Sequence, residues 1–214
     1  MSKLKELEKL LIQGSITRRE FISRVSALGL TAAVSTMFFK SPAQAATPKK
    51  GGRFRLGLAG GSTTDSLDPA TITDMMLQVV NQGQLRNTLV EIDQDANPIP
   101  ELAESWEATP DAKKWVFKLR KGVEFHNGKT MDADDVIYSI NHHRGADTKS
   151  AAKGIIEAIA DIKKDGKDTV IFTLTGGNAD FPYIMSDYHL TISPAGDKFV
   201  GGMGTGGYIL KDYE

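Results

Sequence analysis

Histidine and aspartate, the residue types that hold metal ions and transfer protons, concentrate between residues 126 and 147 of this 214-residue chain. The candidates are His126, Asp132, Asp134, Asp135, His142 and His143. Imidazoles and carboxylates in one place could form a metal site or an acid–base pair, as in a metal-dependent enzyme. No His-Glu-x-x-His or comparable ligand pair accompanies them, so metal-dependent catalysis stays an alternative function.

The acidic members of this set fall where a helix is predicted to begin. Asp132 is followed three residues later by Asp135, as in a capping box. The apolar residues that follow recur at helical spacing: Ala133, Val136, Ile137 and Ile140. Carboxylates in a first helical turn are favoured by the helix dipole whether or not they do chemistry. We expect the adjacent His142 and His143 to point to different sides of this helix.

A half-buried strand is predicted just upstream, where apolar and mostly charged residues alternate over 115–120. Its apolar side consists of Trp115, Phe117 and Leu119. Asn127-Gly128 then predicts a tight turn with positive backbone angles. Further along, 159–163 and 170–174 are separated by Asp165-Gly166, which predicts a β-hairpin.

The order of these motifs resembles that of the family 5 extracellular solute-binding proteins, the peptide- and nickel-binding components of ABC importers. The resemblance is carried between Pro100 and Arg144 by LAESWE, W-x-F-x-L-R, K-G-V-x-F-H, N-G-K and D-V-I-Y-S-I. It implies a type II periplasmic binding protein-like fold, α+β or mixed α/β, in which this stretch is structural.

The same resemblance implies a domain arrangement. Residues 46–86 would be the first segment of ligand-binding lobe I, 87–194 a small α+β domain beside it, and 195–214 the return into lobe I. Because family members are much longer, we expect lobe I to be incomplete and the second lobe to be absent from this sequence. Strands at 54–58 and 208–210 would share one sheet of lobe I.

Composition excludes several other classes of protein. With 40% hydrophobic and 25% charged residues the chain is an ordinary globular one, and it has no basic patch with interleaved aromatics, so no nucleic acid is expected. The absence of cysteine excludes disulfides, thiolate metal sites and a lipid-anchored cysteine.

Residues 1–45 are predicted to be a twin-arginine export signal. Arg18-Arg19 precedes Phe21, an apolar run follows over 25–39, and Ala43-Gln44-Ala45 offers a cleavage point. The apolar run is too short to span a membrane. A leucine stripe ahead of it, Leu4, Leu7, Leu10 and Leu11, is either a surface helix or an extended signal region. Residues 1–45 carry a net charge of +4, which leaves a net charge of −5 for residues 46–214.

Two segments are the candidate ligand sites. In peptide-binding members the extended segment after Leu-Asp-Pro lines the cleft, and the matching positions here are Thr73, Asp74 and Met75. Alternatively, Thr73 only caps the following helix. Asp187, Tyr188 and His189 match the place where the family's chain passes the cleft again. Alternatively, the aromatic and the histidine here only serve packing. An aromatic that packs on the ligand in peptide-binding relatives is missing from 147–153.

Glycine-rich stretches at 60–61 and 201–207 do not predict nucleotide binding, because the first lacks a Gly-Lys-Ser/Thr and the second is not followed by a helix. The resemblance therefore predicts a periplasmic, non-enzymatic, cofactor-free and monomeric binding protein. It would deliver a di- or oligopeptide, a nickel chelate or another small solute to a membrane permease, after export by the twin-arginine translocase.

Overall fold

The computed structural model describes residues 3–28 and 51–212. The chain divides into two compact units, Met1–Leu56 and Gly57–Glu214, and each is described by itself. Among the described residues, no helix has the length and apolar character needed to cross a membrane.

The described part of the first unit contains two helices, α1 (Lys3–Ile12) and α2 (Arg18–Ala27). Thr17 and Glu20 form a capping box at the start of α2. The two helices share a small core of Ile16, Phe21 and Val25, against which the four leucines of the stripe pack. The stripe is thus a helix face. The predicted apolar run beyond Leu28 and the cleavage point at 43–45 lie outside the described residues.

The described part of the second unit contains two antiparallel sheets. Their strands are β1 (Val90–Ile92), β2 (Pro98–Pro100), β3 (Ala103–Ala108), β4 (Lys114–Leu119), β5 (Ile159–Lys164) and β6 (Thr169–Leu174). β1 pairs with β2, and the larger sheet has the order β3-β4-β6-β5. The register pairs Ile162 with Phe172, which confirms the predicted hairpin.

Strand β4 carries the predicted alternation into the core. Trp115, Phe117 and Leu119 are buried, whereas the residues between them are exposed or half-buried. Phe117 meets Phe172 edge to face, with ring centroids 5.4 Å apart. This face of the sheet forms one continuous apolar core with the helix that follows β4.

Helices complete the second unit: a 3-10 helix (Pro69–Thr71), α3 (Met75–Asn81), α4 (Ala133–His142) and α5 (Phe181–Ile184). α4 packs on β5 and β6. The predicted capping box is confirmed, because Asp132 accepts from the Asp134 and Asp135 amides while the Asp135 carboxylate accepts from the Asp132 N–H at 2.9 Å.

Two local expectations need correction. Gly128 alone supplies a positive φ in the 125–129 turn, since Asn127 has none. The rings of His142 and His143 touch edge-on at 5.3 Å instead of pointing to different sides. His143 is the C-cap of α4, and the two rings have separate partners, Asp68 for His142 and Ser150 for His143.

The strands predicted at 54–58 and 208–210 are also absent from the described residues. A strand forms only where a neighbour pairs with its backbone, and no described residue pairs with 54–58 in a ladder. Phe54 and Leu56 are 80% and 55% exposed. Tyr208 and Ile209 are exposed as well, and the Tyr208 N–H makes a single bond to the Gln84 carbonyl.

Residues 84–86 and 204–208 run side by side at close approach. The N–H groups of Gly206 and Tyr208 donate to Leu85 and Gln84, each at 3.0 Å. A Cβ atom added at Gly204 would lie 2.2 Å from the Leu85 carbonyl oxygen. Only glycine therefore lets the two segments meet.

Candidate functional site

The link between the 3-10 helix and α3 is extended, and Met75 of the candidate segment Thr73–Met75 is already the first residue of α3. Ile72 has φ −70° and ψ 123°, and Asp74 has φ −113° and ψ 158°. Ile72 is buried, while Thr73 and Met75 are exposed, Met75 by 62%. Among the described residues, none accepts a hydrogen bond from the Thr73 or Asp74 N–H. The segment therefore presents backbone donors that no described residue occupies, beside exposed side chains.

Asp74, not Thr73, caps α3. Its carboxylate accepts from the Leu77 N–H at 3.1 Å, so the alternative that Thr73 caps this helix is wrong. The same carboxylate lies against Gly60, where an added Cβ would come 2.7 Å from it. Asp74 is thus engaged in local structure, and Thr73 is left without a capping role.

The second candidate segment is built around His189. The Asp187 carboxylate accepts from the His189 backbone N–H at 3.0 Å and lies 2.6 Å from its ring Nδ1. Burial opposes ionisation of Asp187, but these hydrogen bonds outweigh it and lower the pKa of the carboxyl. The Tyr188 ring contacts the His189 ring in a tilted arrangement, with centroids 3.9 Å apart.

His189 joins the two candidate segments in space. The residue is 4% exposed, and its Nε2 lies 2.9 Å from the backbone oxygen of Ile72, the residue before Thr73. Asn81 of α3 adds a second tie, donating to the Tyr188 carbonyl at 2.9 Å. Sequence reasoning missed both ties, because no spacing connects residues that are more than a hundred positions apart.

A groove of about 490 Å³ opens beside Tyr188. Most of the residues that line it are of polar types, namely Gln78, Gln82, Gln84, Glu91, Glu101 and Ser186, and they are joined by Val79, Gly83 and Ile92. Burial raises the pKa of Glu101 and outweighs the hydrogen bonds from Asn87 and Thr88. Of the five predicted site residues, Tyr188 alone lines this groove. Burial and the negative charge of Asp187 raise the pKa of the Tyr188 phenol.

The histidines and aspartates of 126–147 do not gather into one site. Asp132 and Asp135 cap α4, Asp135 also binds Lys129, and Asp134 pairs with Lys164 at 2.6 Å. His126 Nε2 lies 2.9 Å from the Gly206 carbonyl oxygen. Within residues 3–28 and 51–212, no three histidines, cysteines or acids are grouped to hold a metal ion. These side chains therefore act as helix caps and as structural ion pairs and hydrogen bonds.

The remaining two histidines anchor α4 to neighbouring turns. His142 Nε2 lies 2.7 Å from an Asp68 oxygen, and its ring stacks on Phe199 at 3.9 Å. Asp68 is buried in part, yet the bonds from His142 and Ala70 lower the pKa of its carboxyl. Asp68 belongs to the Leu-Asp-Pro turn, so His142 links α4 to the turn that precedes the candidate segment.

A family model described as bacterial extracellular solute-binding proteins, family 5 Middle, matches residues 97–214. The chain belongs to this family. The matched region includes β3, β4 and α4, which carry the motifs from which the family was predicted, so that prediction is confirmed.

Relatives in the family extend the match toward the N-terminal side. The dipeptide-binding protein of Escherichia coli is 30% identical over 180 residues, which is 70% of this chain and 34% of that protein. The structure of DppA from Helicobacter pylori in complex with peptide STSA is 26% identical, with a TM-score of 0.60 over 70% of this chain and 35% of that one.

A further solved structure shows a different ligand. The binding protein AgaA of A. tumefaciens, in complex with agropinic acid, is 26% identical, with a TM-score of 0.64 over 70% of this chain and 31% of that chain. These neighbours confirm the mixed α/β, periplasmic binding protein-like fold class. The chain spans about a third of the length of these proteins. The five site residues stay a prediction.

Proposed function

We propose that this chain is part of the solute-binding component of an ABC importer, capturing a small solute outside the cytoplasm without chemical change. The observation that carries the proposal is the extended segment at Thr73 and Asp74, whose N–H groups have no partner among the described residues. An extended peptide can add to such a segment as a further strand, with its carbonyl groups accepting from these donors.

The favoured ligand is a di- or oligopeptide. Peptide recognition needs backbone donors in an extended segment and neighbouring side chains that read the ligand's own side chains. Thr73 and Met75 are exposed, and Asp187 and Tyr188 are half-buried. Likeness to the dipeptide-binding protein and to the peptide complex of DppA supports this ligand class.

Other small solutes are the alternative within the same function. The likeness to AgaA, which is bound to agropinic acid, and the lack of an aromatic residue in 147–153 favour a ligand other than a peptide. A nickel chelate belongs to the same class of alternatives. All of these would use the same cleft, so the choice is one for a ligand screen.

Location and partners form the second part of the proposal. We infer export to the periplasm by the twin-arginine translocase and delivery of the solute, as a monomer, to a membrane permease. The support is the paired Arg18 and Arg19 ahead of Phe21, together with membership in an extracellular binding-protein family. Closure of two lobes around the ligand would be the binding motion.

The ligand can be found by thermal shift of the full-length protein against dipeptides, a nickel–histidine chelate and agropinic acid. Binding raises the melting temperature by mass action. A rise with any one of these, followed by saturable calorimetric binding without turnover, is the expected result. No rise with the whole set, or product formation, would argue against a solute-binding function.

The segment can be tested with a matched pair of substitutions. Thr73→Pro removes the backbone donor, and the extended Ile72 before it tolerates a proline. Thr73→Ala keeps the donor. We expect Thr73→Pro to weaken binding roughly two- to tenfold more than Thr73→Ala, the value of one hydrogen bond. Equal affinities of the two variants would exclude the Thr73 N–H from the site.

A further inference from the structure

Both ring nitrogens of His189 face groups that can only accept a hydrogen bond. Nδ1 lies 2.6 Å from an oxygen of the Asp187 carboxylate, and Nε2 lies 2.9 Å from the carbonyl oxygen of Ile72. A neutral imidazole carries one N–H, so it can donate to one of these two partners. Making both bonds requires the ring to carry both protons.

Asp187 supplies the negative charge that this arrangement needs. The same oxygen accepts from the His189 backbone N–H at 3.0 Å, so it already receives one donor before the ring is considered. Although burial acts against it, hydrogen bonding to His189 lowers the pKa of this carboxyl and keeps it ionised. Charge-assisted bonds in a buried position are stronger than neutral ones.

Other titratable groups around the pair are Asp68, His142, His143 and Tyr188. The Tyr188 ring contacts the His189 ring at a tilt, while Asp68 and His142 pair with each other at 2.7 Å. His143 does not add a competing charge near neutrality, because burial and the neighbouring histidines lower its pKa to about 4. Asp187 is therefore the anion that directly balances a protonated His189.

The hydrogen bond between His189 and the Ile72 carbonyl orients the whole peptide group that joins Ile72 to Thr73. The Ile72 carbonyl and the Thr73 N–H belong to the same planar peptide group, and a trans group points them in opposite directions. Because His189 is buried and holds the carbonyl inward, the Thr73 N–H must point outward. Its lack of a partner among the described residues agrees with that direction.

We propose that His189, as an imidazolium bridging Asp187 and Ile72, is a positioning residue that presents the Thr73 N–H to the ligand. The inference rests on the proposed function only for the ligand group that the Thr73 N–H binds. The protonated ring and the fixed peptide group belong to the protein alone. The Thr73 N–H favours a ligand that places a carbonyl or carboxylate oxygen next to it, as peptides do.

The first test measures the protonation of the two His189 ring nitrogens. In the full-length protein with ¹⁵N-labelled histidine, NMR near pH 6 should show both His189 nitrogens protonated, and Asp187→Asn should leave one. A singly protonated ring in the wild type would overturn the proposal, as would an unchanged ring in Asp187→Asn. This readout does not depend on any ligand, and it tests the protonation of the ring separately from its role in recognition.

The second test reads the segment. We expect His189→Gln, which cannot donate to both partners, to lower the backbone order parameter at Thr73 from about 0.85 toward 0.6. His126→Gln is the matched control, since it also loses a ring bond to a backbone oxygen at 2.9 Å, at Gly206. If His189→Gln fails to fold, Asp187→Asn takes its place. Equal order parameters in the tested variant and wild type would overturn the proposal.

A third measurement separates this inference from the proposed function. Titration with alanyl-alanine should show about tenfold weaker binding in His189→Gln than in His126→Gln. Wild type that does not bind alanyl-alanine, with the ring and segment as expected, would contradict the peptide ligand and leave His189 in its positioning role. Equal binding by both variants would overturn that role in recognition.

Discussion

The Nδ1 atom of His143 lies 2.7 Å from the Oγ atom of Ser150, and both side chains are buried. Ser150 also accepts from the Ala152 N–H at 3.1 Å, so its hydroxyl proton is free to donate to a neutral imidazole. Burial first, and then the charges of His142 and His189, lower the pKa of His143 from 6.5 to about 4. The folded protein therefore resists protonation here.

This relationship predicts acid destabilisation. Between about pH 6.5 and pH 4 the unfolded chain binds a proton at His143 that the folded chain does not, so stability falls as pH falls through this window. The loss should reach about 3 kcal/mol. Urea unfolding from pH 7 to pH 4 measures it. His143→Asn, which has no titrating ring, should show a flatter pH dependence; an equal slope would refute the account.

A second prediction concerns the close approach of 204–206 to 84–86. Gly204→Ala would place a methyl group 2.2 Å from the Leu85 carbonyl oxygen and should cost about 1–3 kcal/mol. Gly207→Ala is the matched control, because nothing lies within 4 Å of its added Cβ. Neither glycine has a positive φ, so the comparison isolates steric contact. Equal melting temperatures of the two variants would show that the segments can separate freely.

The third prediction tests whether Asp132 is a cap or part of a site. Asp132→Ala should lower the free energy of unfolding by about 0.5–2 kcal/mol, while Asp132→Asn should be nearly neutral. Chemical denaturation measures both. If Asp132→Asn abolished solute binding without a change in stability, Asp132 would belong to the site.

Export gives a fourth prediction. Replacing Arg18 and Arg19 by lysines keeps the charge and removes the paired guanidinium groups, which lysine does not imitate. Cell fractionation should then find the precursor retained in the cytoplasm. Phe21 is fully buried in the core of the helical hairpin, so a translocase that reads Phe21 must open that core. Undiminished periplasmic delivery of the double-lysine variant would refute a twin-arginine signal.

Local patterns were the predictable part of the fold. The alternation in β4 and the Asp132–Asp135 capping box each depend on residues a few positions apart, and the structure has both. The strand expected at 54–58 depends on a distant partner, which alternation cannot provide, and no described residue pairs with it.

The candidate site shows the same limit. The family resemblance selects Thr73–Met75 and Asp187–Tyr188, but it says nothing of how they meet. The bond between His189 and Ile72 joins residues that are 117 positions apart, and a single sequence offers no signal for it. The alternative in which Thr73 caps α3 is wrong by one residue, because Asp74 is the cap. Threonine and aspartate both cap helices well, so their types do not decide between the two positions.

Binding of a solute along Thr73–Met75 beside Asp187 and Tyr188 can be observed by hydrogen exchange of the full-length protein, with and without the ligand found in the screen. We expect slower exchange at the Thr73 and Asp74 amides in the bound state, with the amides of β4 unchanged. Saturating ligand that protects other regions and leaves Thr73 and Asp74 exchanging at the free rate would contradict it.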